Sequence, residues 1–245
     1  MVINMFSIFT VFQNLFSNLP QLFLRIPVIL LALCIHETAH GWMANKLGDH
    51  TARNLGRLTL NPLKHLDPIG TICMFLFGFG WAKPVPIQSR NFKNPKRDFA
   101  LTAAAGPVSN LILGFIGLFC ANLFWFILQK TGMIFEMNDA VYINSTSTFV
   151  ANLVQYTQMF FNLFYWMNVS LAVFNLLPIP PLDGSRIWYT FLPADLYFKV
   201  MQYEQVIQII LMMALWFGML DRPLGMIVNL VMSGMEWLVG LIPFF

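Results

Sequence analysis

The chain has 245 residues, of which 58% are hydrophobic and only 10% charged, and its mean hydropathy is +0.66. Soluble globular domains hold about 45–50% apolar and about 25% charged residues, so this composition excludes an ordinary water-soluble domain. The net charge of +3 is small and gives no reason to expect a nucleic-acid partner. We predict an all-α polytopic membrane protein, a bundle of about four to six transmembrane helices with a re-entrant loop or small β-hairpin.

The N-terminal third of the chain predicts three elements. Polar residues recur at helical spacing over residues 1–20, which indicates an amphipathic helix lying in the membrane interface. The first span is predicted from Leu22 to Lys46, with Gly48 as its stop. Residues 66–81 are apolar but short and rich in glycine, which favours a re-entrant segment over a full crossing.

Later apolar stretches predict the remaining spans. The second span is predicted from Asp98 to Gln129 and the third from Phe149 to Leu177, where a run of prolines ends it. Residues 205–220 are predicted as a fourth span. Residues 224–241 then form either a returning span or an interfacial helix.

The basic residues predict the orientation of this bundle. Nine of the fourteen Lys and Arg residues lie between Lys46 and Arg97, whereas the loop over residues 130–148 holds only Lys130. The positive-inside rule therefore places residues 46–97 in the cytoplasm and residues 130–148 on the opposite side.

The first predicted span carries the segment His36-Glu37-Thr38-Ala39-His40, an HExxH pattern. Histidines four residues apart on a helix face the same way and can bind one Zn²⁺, while Glu37 is placed to act as general base. An ionisable residue at the centre of a bilayer costs about 2.5–3.5 kcal/mol, so such residues tend to mark function. The alternative is a cluster at the helix end that reaches the interface.

A catalytic zinc needs a third protein ligand. Histidine is scarce, because only His50 and His65 remain. Asp183 lies in Asn-Leu-Leu-Pro-Ile-Pro-Pro-Leu-Asp-Gly, residues 175–184, where prolines end the third predicted span on the same side of the membrane as the histidine pair. We predict Asp183 as the third ligand. Its alternative is a turn aspartate before Gly184.

Four motifs occur together in the core of the chain. They are HETAH, then GWAKPVPI over residues 80–87, AAAGPVSN over residues 103–110, and NLLPIPPLDG. Their order and combination resemble the site-2 protease family, the intramembrane zinc metallopeptidases also called peptidase M50. The resemblance is to the minimal form, for which we expect neither an inserted PDZ region nor a CBS tail.

The resemblance implies a single transmembrane metalloprotease domain over residues 1–245. Its catalytic core would span residues 22–186, and its C-terminal helices residues 205–245. One Zn²⁺ per chain would be held by His36, His40 and Asp183, with Glu37 as the catalytic carboxylate. The family's distribution and the minimal architecture imply a bacterial inner membrane, and an organelle membrane is the alternative. The positive-inside rule then places the active site toward the cytoplasm.

Other polar residues receive weaker interpretations. The resemblance suggests that Asn175 contacts the substrate backbone or the developing oxyanion, and an interhelical hydrogen bond is the alternative. Asn110 is expected to join helices. His65 could polarise the substrate carbonyl or guard the water entrance, or it could simply order its loop, and His50 is expected to be an exposed loop residue.

The segment containing Val85 suggests a way to bind substrate. A peptide bond is cleaved from an extended backbone, and an unpaired strand edge can capture such a backbone by strand addition. Our hypothesis is that residues 70–87 form a re-entrant hairpin with such an edge. An ordinary loop is the alternative.

These observations favour a protease that acts within the membrane. The expected partners are a transmembrane protein substrate, typically single-pass, and the lipid bilayer, with no nucleic acid and with the oligomeric state left open. A di-iron hydroxylase needs more histidines than the four present. A non-proteolytic metal-binding transporter or scaffold would leave Glu37 without a role beside the histidine pair.

Overall fold

The computed structural model describes most of the chain, namely residues 19–68, 70, 82–137, 140–144 and 147–242. The fold is dominated by long helices and contains little strand, which confirms the predicted all-α polytopic class. The interfacial helix predicted over residues 1–20 and the re-entrant segment predicted over residues 66–81 fall almost wholly outside the described residues.

Two long helices build the first half of the bundle. Helix α1 runs from Leu19 to Lys46, just before Gly48, whose φ of +108° suits glycine after a helix end. A single turn, α2 (Thr51–Asn54), follows. Helix α3 (Pro95–Lys130) has a proline in its first turn, where the missing N–H costs no helical hydrogen bond.

A small antiparallel hairpin follows α3. Strand β1 (Ile134–Met137) pairs with β2 (Ala140–Ile143), so that Ile134 lies opposite Ile143. The sequence had predicted only a polar loop in this region. The hairpin predicted over residues 70–87 falls mainly outside the described residues. Leu66 and Ala82, which lie before and after residues 71–81, form an isolated antiparallel bridge.

The second half of the chain adds one long helix and four shorter ones. Helix α4 is long, and it is followed by the short helices α5 and α6 and by two apolar helices near the C-terminus. Their bounds are α4 (Thr148–Asn175), α5 (Asp183–Trp188), α6 (Ala194–Gln202), α7 (Glu204–Trp216) and α8 (Asp221–Gly240).

Within the described residues, three helices are long and apolar enough to cross a membrane, namely α1 from Phe23, α3 and α8. Helix α4 has 28 residues and a length of about 42 Å at 1.5 Å per residue, but its amide side chains lower its hydropathy. Helix α7 has 13 residues, about 20 Å, which is shorter than the hydrocarbon core of about 30 Å. The prediction of a full fourth span over residues 205–220 is therefore wrong, whereas α8 has the length predicted for a returning span.

Helix α3 is the centre of the bundle and packs against α1, α4 and α5. Its glycines permit this close contact, because a Cβ atom on Gly114 would lie 2.9 Å from Cγ2 of Val169 and one on Gly117 would lie 2.9 Å from Cδ1 of Phe164. The largest buried cluster lies where α3 and α4 pack against α7 and α8, and it includes Leu118, Tyr165 and Val169. Helix α3 thus holds α4 and α5 close to α1, the helix that carries the HExxH segment.

Candidate metal centre

His36, His40 and Asp183 meet in one cluster. Both histidines lie on α1, and Asp183 is the first residue of α5. The Nε2 atoms of the two histidines are 3.1 Å apart, and Oδ2 of Asp183 lies 3.1 Å from Nε2 of His36 and 3.3 Å from Nε2 of His40. The predicted meeting of a helical histidine pair with a distant aspartate is therefore present in the structure.

These separations fit one tetrahedral ion. With bonds of about 2.0–2.1 Å from zinc to nitrogen or oxygen, the ligand atoms of a tetrahedral site lie about 3.3 Å from one another. The three distances within the cluster, 3.1–3.3 Å, match that edge length. Three ligand atoms define one face of a tetrahedron and leave the fourth position for a water or a substrate oxygen.

The outer nitrogens of both imidazoles are hydrogen-bonded to oxygen atoms. Nδ1 of His40 lies 2.7 Å from the carbonyl oxygen of Thr102, and Nδ1 of His36 lies 2.5 Å from Oδ1 of Asn110. Oxygens of this kind only accept hydrogen bonds, so each Nδ1 carries the proton. Each neutral imidazole therefore points the lone pair of Nε2 toward Asp183, which is the tautomer that a metal ligand requires.

The orientation of the Asn110 side chain is fixed by two further bonds. Its Nδ2 donates to Oδ1 of Asn168 at 2.9 Å and to the carbonyl oxygen of Ala32 at 3.2 Å. Both asparagines are fully buried. The predicted helix-joining role of Asn110 is confirmed, because it connects α1, α3 and α4, but its bond to His36 was not predicted.

Two glycines allow the backbone to approach the cluster. A Cβ atom on Gly106 would lie 2.4 Å from Nε2 of His40 and 2.7 Å from Cε1 of His36. A Cβ atom on Gly184 would lie 2.2 Å from the carbonyl oxygen of Leu176. Gly106 thus allows α3 to contact both imidazoles, and Gly184 allows the chain after Asp183 to fold back against the end of α4.

The donor set fits a metal cation for an electrostatic reason. Two imidazole lone pairs and a carboxylate oxygen converge at hydrogen-bonding distance, and Oδ2 of Asp183 accepts no hydrogen bond from the residues that the structure describes. Such an arrangement of acceptors is repulsive unless a cation lies between them. Nitrogen and carboxylate ligands in tetrahedral geometry favour Zn²⁺.

Glu37 lies beside the two histidines and is largely buried, with an exposed fraction of 9%. Its Oε2 accepts a hydrogen bond of 2.9 Å from the backbone N–H of Val85. The bond holds the carboxylate between the cluster and the segment that begins at Ala82. The sequence pattern predicts substrate binding for Val85, and it does not predict this contact.

The other predicted site residues have local partners. His65 is buried, and its Nε2 donates to the carbonyl oxygen of Thr59 at 2.8 Å, which fits the loop-ordering interpretation. His50 is exposed, as predicted, and pairs with Asn45. Asn175 ends α4, and its Nδ2 donates to the carbonyl oxygen of Leu171 in the same helix at 2.9 Å. Its predicted contact with substrate stays a prediction.

The buried residue Asp49 binds the loop that contains Gln88 and Asn91 through hydrogen bonds. Asp49 accepts hydrogen bonds from the N–H of Gln88 at 2.7 Å and from Nδ2 of Asn91 at 2.8 Å, and Thr51 donates to it as well. Burial alone would raise the pKa of Asp49, but these donors outweigh it and lower the pKa below its ordinary value. The residues after Val85 are thus bound to the loop that follows α1.

Helices of membrane-spanning length and a cluster of two histidines with one aspartate define a membrane-embedded protein with a metal-binding centre. The model of peptidase family M50 matches residues 25–220, which is most of the chain. The chain belongs to peptidase family M50.

Curated relatives carry names that agree with this family. The chain is 45% identical over 176 residues to a Bacillus subtilis (strain 168) protein named "Putative zinc metalloprotease YwhC", and the match covers 72% of each chain. It is 29% identical over 160 residues to "Putative zinc metalloprotease Rip2" of Mycolicibacterium smegmatis, a match that covers 63% of this chain and 52% of the relative. The chain therefore spans about half the length of that second relative. No solved structure matches significantly.

Proposed function

We propose that this protein is a zinc metalloprotease that hydrolyses peptide bonds within or near transmembrane segments. The observation that carries the proposal is the convergence of His36, His40 and Asp183 at distances that suit one tetrahedral zinc. Each chain holds one zinc in this proposal. Family membership and the names of the relatives support the same chemistry.

The residues of the centre have distinct roles in the proposed reaction. Zinc, when bound, polarises a carbonyl and lowers the pKa of water from 15.7 to about 7. Glu37 takes the proton from the attacking water and later passes it to the leaving amine. The hydrogen bonds that Thr102 and Asn110 accept fix the protons of both imidazoles on Nδ1, so that Nε2 of each histidine would face the zinc as a neutral ligand. Two neutral imidazoles and one carboxylate would leave the zinc-loaded centre with a net positive charge. That charge favours an anionic tetrahedral intermediate.

The reaction is proposed to occur within the inner half of a bacterial cell membrane. His36 and His40 lie ten and six residues from Lys46, which at 1.5 Å per residue is about 15 and 9 Å from that end of α1. The basic residues between Lys46 and Arg97 favour a cytoplasmic position for this end. Water would reach the centre from the same side, along the polar loop that contains His65.

The substrate is proposed to be a single-pass membrane protein whose helix unwinds at the site. The bridge between Leu66 and Ala82 supports strand-like backbone at the mouth of the predicted hairpin, where an extended substrate would add as a further strand. Val85→Pro is a poor test of strand addition, because it also removes the donor to Glu37. Ile87→Pro removes a backbone N–H from the same segment and leaves that bond in place.

The test is a quantitative comparison of membrane proteomes from cells with wild-type protein and with Glu37→Gln. We expect full-length single-pass proteins or their membrane-bound stubs to accumulate only with the variant, because a neutral side-chain amide cannot take the proton from water. His50→Ala serves as control, since His50 is exposed and outside the cluster. Identical proteomes for wild type and Glu37→Gln would contradict the proposal.

A further inference from the structure

Residues 82–88, here called the PVP segment, lie along the face of α1 that carries Glu37. Val85 is buried, with an exposed fraction of 6%. A Cβ atom on Gly41 would lie 3.3 Å from Cγ1 of Val85, so the valine side chain covers this glycine closely. Because Glu37 and Gly41 are four residues apart, they lie on the same face of the helix.

The sequence of the PVP segment leaves one backbone donor at its centre. Pro84 and Pro86 have no N–H, so Val85 carries the only one between Lys83 and Ile87. That single N–H donates to Oε2 of Glu37 at 2.9 Å. A hydrogen bond from an N–H to a carboxylate is stronger than one between neutral groups, and both partners here are buried.

The segment is fixed on both sides of Val85. The N–H of Lys83 donates to the carbonyl oxygen of His65 at 2.8 Å, and the N–H of Gln88 donates to Asp49 at 2.7 Å. Nη2 of Arg57 donates to the carbonyl oxygens of Lys83 at 2.8 Å and of Pro84 at 3.3 Å. These bonds come from the loop after α1 and set the position of the donor on Val85.

We propose that the PVP segment, held by Arg57, positions the carboxylate of Glu37 for proton transfer. The N–H of Val85 occupies Oε2 and leaves Oε1 as the oxygen that takes the proton. Arg57 acts through the backbone of Lys83 and Pro84 and is a positioning residue. This proposal rests on the proposed function, because it assigns the geometry of the base in the same reaction.

The direct test is hydrogen–deuterium exchange of the Val85 amide in the purified full chain, loaded with zinc in detergent. Glu37→Ala removes the acceptor, so we expect this amide to exchange at least about tenfold faster, which corresponds to a hydrogen bond of about 1.4 kcal/mol. Glu37→Gln keeps an acceptor oxygen and should retain slow exchange. Equal exchange in wild type and Glu37→Ala would overturn the proposal.

A second experiment tests Arg57, with Arg53 as the matched control. Arg57→Ala should speed exchange at Val85 and reduce kcat on a fluorophore-labelled single-pass transmembrane peptide by about tenfold, which is a fraction of the about 10²–10⁴-fold that a positioned general base contributes, with KM and zinc content unchanged. Arg57→Lys, which keeps a donor, should recover most of both. Arg53 is exposed, and Arg53→Ala should behave as wild type. A change confined to KM, or no difference between the two alanine variants, would refute the positioning role.

The two proposals fail in distinguishable ways. If Glu37→Gln retains proteolysis while the exchange pattern holds, the hydrolytic role of Glu37 is wrong and the contact with Val85 remains. A different result is an inactive Glu37→Gln variant together with an exchange rate of the Val85 amide that neither Glu37→Ala nor Arg57→Ala changes. In that case the protease assignment stands and the PVP segment does not position the base.

Discussion

Asn110 accepts a hydrogen bond from Nδ1 of His36 across a sequence separation of 74 residues, at 2.5 Å. Its own amide group is held in the required orientation by Asn168 and by the carbonyl oxygen of Ala32. The bond determines which nitrogen of His36 faces the metal centre. An asparagine that joins three helices therefore also sets the tautomer of a proposed zinc ligand.

Replacing Asn110 should weaken metal binding. Groups that orient a metal-ligating histidine contribute about 10–100-fold to metal affinity, so we expect a loss of that size in Asn110→Ala. Zinc affinity can be measured by competition with a chromophoric chelator in detergent. The matched control is Asn122→Ala, because Asn122 also lies on α3 and, among the described residues, its side chain bonds only to the carbonyl oxygen of Leu118 in the same helix. Equal affinities for both variants would show that the bond to His36 has no such role.

Gly106→Ala should displace both imidazoles. The added Cβ would lie 2.4 Å from Nε2 of His40, and relief of such overpacking costs about 1–3 kcal/mol. That cost corresponds to zinc binding weaker by about 10–100-fold. Gly225→Ala is the control, because a Cβ atom on this helical glycine would have no neighbour within 4 Å among the residues that the structure describes. Normal zinc affinity in Gly106→Ala would show that the backbone of α3 at Gly106 is not in close contact with the histidine pair.

Asp49 should stabilise the loop in a pH-dependent way. Its folded pKa lies below the ordinary value of about 3.9, so its contribution is complete above that pH and is lost as the pH falls through the folded pKa. If the contribution is about 1 kcal/mol, Asp49→Asn lowers the Tm by about 2–4 °C near pH 7. The difference in Tm between wild type and variant should shrink below about pH 4. A difference that grows on acidification would contradict this sign.

Sequence patterns predicted the main elements of the site for clear physical reasons. A helical period places His36 and His40 on one face, and prolines ending an apolar run place Asp183 at the same end of the bundle. The bond from Val85 to Glu37 could not be read this way, because it joins a side chain to backbone 48 residues away. The closest signal was the Pro-Val-Pro triplet, which leaves a single N–H but does not specify its acceptor.

Two further features of the fold could not be predicted from sequence patterns. The apolar run over residues 205–220 gave no sign that α7 would end at Trp216 and be too short for a crossing. The clue to the role of Gly106 was the run of small residues that opens the second predicted span. Such a run predicts close helix packing, but it does not show that the packed surface is a pair of imidazole rings.

The zinc content of the purified protein and its variants is the decisive measurement for a metal centre built from His36, His40 and Asp183. Elemental analysis should find about one zinc per chain in wild type and in Glu37→Gln, since Glu37 is not a ligand in this account. His36→Ala and Asp183→Ala should each lose nearly all of it. Full zinc occupancy in either of these two variants would contradict a centre built from His36, His40 and Asp183.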